Sequence, residues 1–235
     1  MARNPSFAAL PRFRRGAFWL FLSVALATIL LADQPYASRL LLGPEFGGEL
    51  ALWQPITALF VFPEGHLGGL FLTLVVQWIV GGPVEERWGT ARYLGFVIGC
   101  ALAGTVTTAL LGLVVPAIAA TQIGGSLPLD LAALVAFGVI MGRAQLRLFG
   151  ALPITGRTLA IVAAVLAIVS PLARGAPWAV VLPSVITLVT AYLAAARPWK
   201  GRGKSGKLSS GRGKPRRKPK KSHLRVVPRD DSMLH

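Results

Sequence analysis

Ser126 and Asp130 lie four residues apart in an apolar part of the chain. A spacing of four places both side chains on one face of an α-helix. A serine hydroxyl becomes an effective nucleophile when a neighbouring base takes its proton, so Asp130 is a candidate base for Ser126. The structural alternative is that Ser126 caps a helix while Asp130 interacts favourably with the helix dipole in the first turn.

His66 is the only histidine in the apolar part of the chain, because His223 and His235 lie near the carboxyl terminus. A histidine that enters a membrane segment is costly and usually has a function or a partner. It is therefore a second candidate base for Ser126. The alternative is a residue at a helix start that is hydrogen-bonded to the preceding loop. Gln77 is an isolated polar residue of the kind that usually bridges membrane helices.

The composition indicates a membrane protein. The chain has 235 residues, of which 54% are hydrophobic and 14% charged, with a formal net charge of +16. Soluble domains carry about 25% charged residues, so a basic soluble domain is excluded. A single cysteine, Cys100, excludes an intramolecular disulfide and a thiolate metal cluster. We expect neither a metal nor a cofactor.

Long apolar runs predict an all-α fold of six membrane helices, at residues 16–32, 66–80, 92–115, 126–141, 159–173 and 177–196. The first run could be a signal peptide, but its length and the absence of a small-x-small cleavage site favour a helix. The broken apolar stretch 50–62 predicts an interfacial segment. A charged turn is predicted at 85–89. Four-residue spacing of Gly95, Gly99 and Ala103 predicts close approach of another helix.

The positions of Lys and Arg predict the orientation. With six helices, 23 of the 25 fall on the side that holds both termini. Positive charge marks the cytoplasmic side, so both termini are predicted to be cytoplasmic. We expect a bacterial-type inner membrane or a plasma membrane.

Three domains are predicted: a cytoplasmic amino-terminal segment (1–15), a membrane domain (16–196) and a polybasic tail (197–235) that is disordered because it has few apolar residues. The cluster Lys200–Lys221 predicts binding to anionic lipid head groups. Nucleic acid or the ribosome is the alternative partner, although the cluster has no aromatic residues for base stacking.

Three short motifs lie in the membrane region. His66-Leu67 opens the second helix, and Glu85 precedes Gly89 and Arg92 before the third. Gly124-Gly125-Ser126 opens the fourth helix. Together with the six-helix layout, these motifs resemble the rhomboid family of intramembrane serine proteases over about residues 50–196. The resemblance implies that Ser126 occupies the nucleophile position and His66 the oxyanion side, and that Gly124, Glu85, Gly89 and Arg92 form the structural signature.

The chain departs from that pattern where the chemistry would occur. The family's base is a histidine on helix six, but Ser184 stands at this position. Leu70 replaces the asparagine that would help to hold the oxyanion, and Leu127 replaces the glycine after the nucleophile. Loss of one oxyanion donor costs about 10²–10³ in rate.

The sequence therefore predicts a rhomboid-like pseudoprotease that binds or steers other transmembrane proteins. The alternative is an active intramembrane serine protease that uses Ser126 with His66 or Asp130 as a non-standard base. A transporter or channel is disfavoured, because we find no internal repeat and only Asp130 as a charge within the predicted helices' apolar cores.

Overall fold

The computed structural model describes residues 13–31, 34–46, 51–63, 67–142, 145–148 and 152–196. These residues form nine α-helices: α1 (Arg15–Leu31), α2 (Gln54–Thr57), α3 (Leu67–Val76), α4 (Gly82–Trp88), α5 (Thr90–Gly112), α6 (Pro116–Ala119), α7 (Leu127–Ile140), α8 (Gly156–Ala173) and α9 (Leu182–Ala196). A π-helical turn, Gln77–Gly81, joins α3 to α4. Single 3₁₀ turns occupy Ala37–Leu40 and Trp178–Val181.

Four helical stretches are long and apolar enough to cross a membrane: Gly68–Trp88, Thr90–Gly112, Gly156–Ala173 and Trp178–Ala196. Two apolar helices, Arg15–Leu31 and Leu127–Ile140, are shorter. The described part of the chain is thus a predominantly helical membrane protein. The count of six spanning helices stays a prediction.

The predicted charged turn at 85–89 is wrong. The stretch Gly68–Trp88, which follows α1 and is called the second helical stretch below, continues through the π turn and α4, so that Glu85 and Arg87 are helical. Pro83, the second residue of α4, lies just after the π turn and does not end the stretch. The turn is confined to Gly89, whose φ of 82° favours glycine.

Helix α7 is the centre of the bundle. Most of its side chains are buried, and it packs against α3, α4, α5, α8 and α9. Its 14 residues rise about 21 Å, which is less than the hydrocarbon thickness of about 30 Å. Because neighbouring helices surround it, α7 has little surface to match to lipid.

The small-residue ladder on α5 was predicted in the wrong register. Gly95 and Gly99 are exposed, and a Cβ added at either would contact nothing within 4 Å. Close approach occurs instead at Gly104, where a Cβ would overlap the Thr187 hydroxyl and the Pro183 carbonyl of α9. Gly99 and Gly104 are both small residues on α5, so only the position of α9 decides which of them permits close approach.

We expect Gly104→Ala to lower the free energy of unfolding by about 1–3 kcal/mol, because the added methyl group forces α5 away from α9. Gly99→Ala is the matched control on the same helix, and it should not lower stability, since alanine gains up to about 1 kcal/mol over glycine in a helix. Unfolding of both variants in mixed micelles measures the difference. Equal stability of the two variants would show that α5 and α9 are not in close contact at Gly104.

The connections carry short regular elements. The connection between α1 and α3, called loop one, contains α2 and forms an isolated antiparallel bridge from Leu42 to Ile123. Between α7 and α8, strands β1 (Gln145–Leu148) and β2 (Leu152–Thr155) form an antiparallel hairpin in which Gln145 pairs with Thr155. This hairpin was not predicted from the sequence.

Candidate functional site

The side chains of Ser126 and Asp130 lie together in the interior. Ser126 is fully buried and Asp130 is 2% exposed. The Ser126 Oγ lies 3.4 Å from the Asp130 Oδ2, as the four-residue spacing predicted. Ser126 occupies the N-cap position of α7, but its side chain makes no capping hydrogen bond. The hydroxyl is used for a contact between helices instead.

Thr73 of α3 connects the two residues. Its hydroxyl is hydrogen-bonded to the Ser126 hydroxyl and donates to the Asp130 Oδ2 over 2.8 Å. Gln77, one turn further along, donates from Nε2 to the Asp130 Oδ1 over 3.0 Å. Both carboxylate oxygens therefore accept hydrogen bonds from the second helical stretch.

The network extends from Gln77 to α5. The Tyr93 hydroxyl donates to the Gln77 Oε1, and Tyr93 is fully buried. The prediction that Gln77 bridges helices is confirmed. We call Thr73, Gln77, Tyr93, Ser126 and Asp130 the polar cluster. It joins three helical stretches through hydrogen bonds that converge on one carboxylate.

No cation compensates this carboxylate among the described residues, whose ion pairs are Arg14–Glu86 and Arg39–Glu45. Burial of a carboxylate is costly, and hydrogen bonds from Thr73 and Gln77 offset part of that cost. Neither Thr73 nor Tyr93 was predicted from the sequence as a site residue. A signal for Thr73 does exist, because Gly69, Thr73, Gln77, Gly81 and Glu85 recur at intervals of four.

The π turn keeps the residues from Gly69 to Glu85 that recur at intervals of four on one face of the second helical stretch. In a straight α-helix, 16 residues turn through about 1,600°, which would place Glu85 about 160° away from Gly69. A π turn adds one residue to a turn and so offsets about 100° of this drift. Gly81 lies within the turn, and a Cβ there would overlap the Tyr93 hydroxyl and crowd the Gln77 Oε1.

Glu85 binds the amino terminus of α1. Its Oε1 accepts from the Gly16 N–H and its Oε2 from the Ala17 N–H, each over 2.9 Å. Thr90, at the start of α5, donates to the same Oε1 over 2.7 Å. The first N–H groups of a helix lack partners within it, and a carboxylate there also interacts favourably with the dipole. The carboxylate, 4% exposed, therefore links α1, α4 and α5.

We expect Glu85→Ala to lower the free energy of unfolding by about 1–3 kcal/mol, because two buried N–H groups lose their acceptor. The neighbouring Glu86 offers a matched control, since within the described part of the chain it forms a single ion pair, the exposed one with Arg14. Glu86→Ala should change stability by less than about 1 kcal/mol. Reversible unfolding in mixed micelles compares the two, and a larger loss for Glu86→Ala would contradict the assigned role of Glu85.

The remaining predicted residues are placed as follows. Gly124 packs closely, since a Cβ there would overlap the Leu41 side chain and the Val61 carbonyl. Arg92 is exposed in the first turn of α5. Ser184, at the position of the family's base, is 3% exposed. His66, His223 and His235 lie outside the described residues, so the structure does not test a role for His66.

Loop one covers the Ser126 end of the cluster. A Cβ added at Gly69 or at Gly125 would overlap the ring of Phe62, which is 8% exposed. Thr28 of α1 holds this segment, since its hydroxyl accepts from the Phe62 N–H over 3.3 Å. Gly125 has a φ of 107°, and its N–H donates to the Ala58 carbonyl over 2.8 Å. Among the described residues, the space beside Ser126 is therefore filled by protein.

The comparisons with known proteins identify a family. No curated protein and no solved structure matches the chain significantly. The profile of one family, described as eukaryotic integral membrane protein (DUF1751), matches residues 16–193. This eukaryotic description gives no support to the prediction of a bacterial-type membrane. The match covers well over half of the chain, from the start of α1 to the last turns of α9, and the chain therefore belongs to the DUF1751 family of eukaryotic integral membrane proteins.

Proposed function

We propose that this protein is a rhomboid-like pseudoprotease that binds or steers other transmembrane proteins within the bilayer. The observation that carries the proposal is the state of Ser126. Its hydroxyl, at the nucleophile position, is fully buried and hydrogen-bonded to Thr73 and Asp130. A nucleophile must reach a substrate carbonyl, and this hydroxyl instead holds helices together.

The surroundings of Ser126 support the same proposal. The Phe62 ring packs against Gly125, the residue before Ser126, and the Gly125 N–H is already bonded to the Ala58 carbonyl. An oxyanion site needs donors directed at the position where negative charge develops. The side chain at the family's base position is Ser184, which cannot act as a base.

A role in binding is supported by the exposure of α8. Only 11% of its apolar span is buried, the lowest share among the four stretches of spanning length. Its tight contacts with α7 lie at its start. A Cβ added at Gly156 of α8 would overlap the Phe137 ring of α7, and a Cβ added at Gly138 of α7 would overlap the Ala160 side chain of α8. Beyond this end, α8 exposes a series of large apolar side chains, namely Ile161, Val162, Val165, Leu166, Val169 and Leu172. We infer that a client helix packs along this face.

The topology belongs to the same proposal. Six spanning helices place both termini in the cytoplasm, so that Lys200–Lys221 faces the anionic leaflet. The membrane domain would extend over 16–196, with segments 1–15 and 197–235 outside it.

Photo-crosslinking in native membranes tests the binding role. A photoreactive residue at Val165 of α8 should form discrete adducts whose peptides map to transmembrane segments of other proteins. The same residue at Ala133, buried in α7, should yield only internal crosslinks. Ser126→Ala should leave the Val165 adducts unchanged. Adducts to lipid alone at Val165 would contradict client binding. Cleavage products of the crosslinked clients that form with wild type and are absent in Ser126→Ala would favour the protease.

The second candidate function is a serine protease with Asp130 as base. The distance of 3.4 Å from the Ser126 Oγ to the Asp130 Oδ2 is the observation that favours it. Cleavage of a model transmembrane substrate that disappears in Ser126→Ala would establish this function.

A further inference from the structure

Three arginines lie at one end of the bundle, at the junction of α1, α4 and α5. Arg15 begins α1, Arg87 lies in the last turn of α4, and Arg92 lies in the first turn of α5. All three side chains are exposed. We call Arg15, Arg87 and Arg92 the arginine collar.

The Glu85 contacts join the three helix ends on which the collar arginines lie. The residue next to Arg15 is Gly16, whose N–H binds Glu85, two positions before Arg87. Thr90, two positions before Arg92, binds the same carboxylate. The three helix ends that carry the collar arginines therefore meet at one buried carboxylate.

The nearby acidic groups are already occupied. The Glu85 carboxylate accepts from two backbone N–H groups and from Thr90, and Glu86 is paired with Arg14 at 2.7 Å. No carboxylate of the described residues lies within ion-pair distance of a collar arginine. Arg15 and Arg92 also lie in first turns of helices, where the dipole disfavours a cation. The local field at this end therefore favours an added anion.

The position of the collar relative to the membrane surface favours a lipid phosphate as the anion. Trp19 lies one turn beyond Arg15 on α1 and is 62% exposed. Exposed tryptophan is typical of the boundary between head groups and acyl chains. An arginine one turn further out lies at the level of lipid phosphates, with which guanidinium groups form bidentate hydrogen bonds.

We propose that the arginine collar binds the phosphate group of an anionic phospholipid. This lipid site is separate from the polybasic tail and does not depend on whether the protein binds clients. Bound lipid would neutralise the junction at which Glu85 joins α1 to α4 and α5.

Native mass spectrometry of the full-length protein in neutral detergent tests the proposal, with phosphatidylserine and phosphatidylcholine as probes. Wild type should retain phosphatidylserine in preference to phosphatidylcholine. The triple variant Arg15→Gln, Arg87→Gln, Arg92→Gln should bind phosphatidylserine at least about tenfold more weakly, since each arginine near an anionic head group contributes about fivefold. Arg39→Gln with Arg174→Gln is the matched control elsewhere in the fold, and it should retain wild-type binding.

Two further arms distinguish the sources of binding. A full-length variant with every Lys and Arg from 200 to 221 changed to Gln should keep the collar-dependent lipid. Inorganic phosphate at the concentration of the lipid should not displace it. Unchanged lipid binding in the triple variant, complete loss in the tail variant, or displacement by inorganic phosphate would each overturn the proposal. A melting temperature close to wild type shows that the triple variant is folded; if it is not, the single variant Arg92→Gln replaces it, with an expected loss of about fivefold.

Discussion

Replacing Asp130 with leucine should lower the free energy of unfolding by about 2–4 kcal/mol. Leucine keeps the branched shape but has no oxygen, so it removes the acceptor that the Thr73 and Ser126 hydroxyls and the Gln77 amide share. Asp130→Asn retains one acceptor oxygen, and its free energy of unfolding should fall by less than that of Asp130→Leu. Equilibrium unfolding in mixed micelles measures both variants.

Two comparisons assign this loss to the polar cluster. Thr190→Val removes a hydroxyl that bonds to the Ile186 carbonyl within its own helix, and it should change stability by less than about 0.5 kcal/mol. Gln77→Leu combined with Asp130→Leu should cost less than the sum of the single changes, because the two side chains are bonded to each other. Additive effects, or a stable Asp130→Leu protein, would contradict the cluster.

Gly81→Leu should be the most disruptive glycine substitution on the second helical stretch, with an expected loss of about 3 kcal/mol or more. A Cβ at this position would overlap the Tyr93 hydroxyl and lie 3.0 Å from the Gln77 Oε1 and 3.2 Å from the Ala17 Cβ. A larger side chain must therefore displace α1 or α5 and break the hydrogen bond between Tyr93 and Gln77.

Gly95→Leu is the matched control for Gly81→Leu, because Gly95 is exposed on α5 with nothing within 4 Å of an added Cβ. Its stability should stay within about 1 kcal/mol of wild type. Protease resistance measured across a denaturant titration gives the concentration at which each variant unfolds. If Gly81→Leu unfolds at the same denaturant concentration as Gly95→Leu, the close approach of α1 and α5 at the π turn is wrong.

The sequence predicts the helices better than their contacts. The run 126–141 was predicted as a helix and α7 spans Leu127–Ile140, since a long apolar stretch is a strong signal. The spacing of Ser126 and Asp130 predicted their proximity, because four residues within one helix fix a common face. Such local geometry can be inferred without knowledge of any other helix.

Contacts between helices need information that spacing alone does not supply. Thr73 reaches Asp130 because of where α3 lies against α7, and Glu85 shares its face because of the π turn. Gly104 and Gly99 are both small residues on α5, yet only Gly104 meets α9. The charged residues at 85–89 suggested a turn, whereas Glu85 is buried by its bonds to the amino terminus of α1.

Fluorophosphonate labelling of the full-length protein tests most directly the claim that Ser126 has a structural role. Such probes react with a serine hydroxyl that a base has activated. Wild type should not be labelled at Ser126, and Phe62→Ala should also remain unlabelled, although it removes the ring beside Gly125. A thiol reagent checks that removing the ring exposes this site. The double variant Phe62→Ala, Ser126→Cys should react faster at position 126 than the single variant Ser126→Cys. Labelling of wild type that disappears in Ser126→Ala would contradict the account.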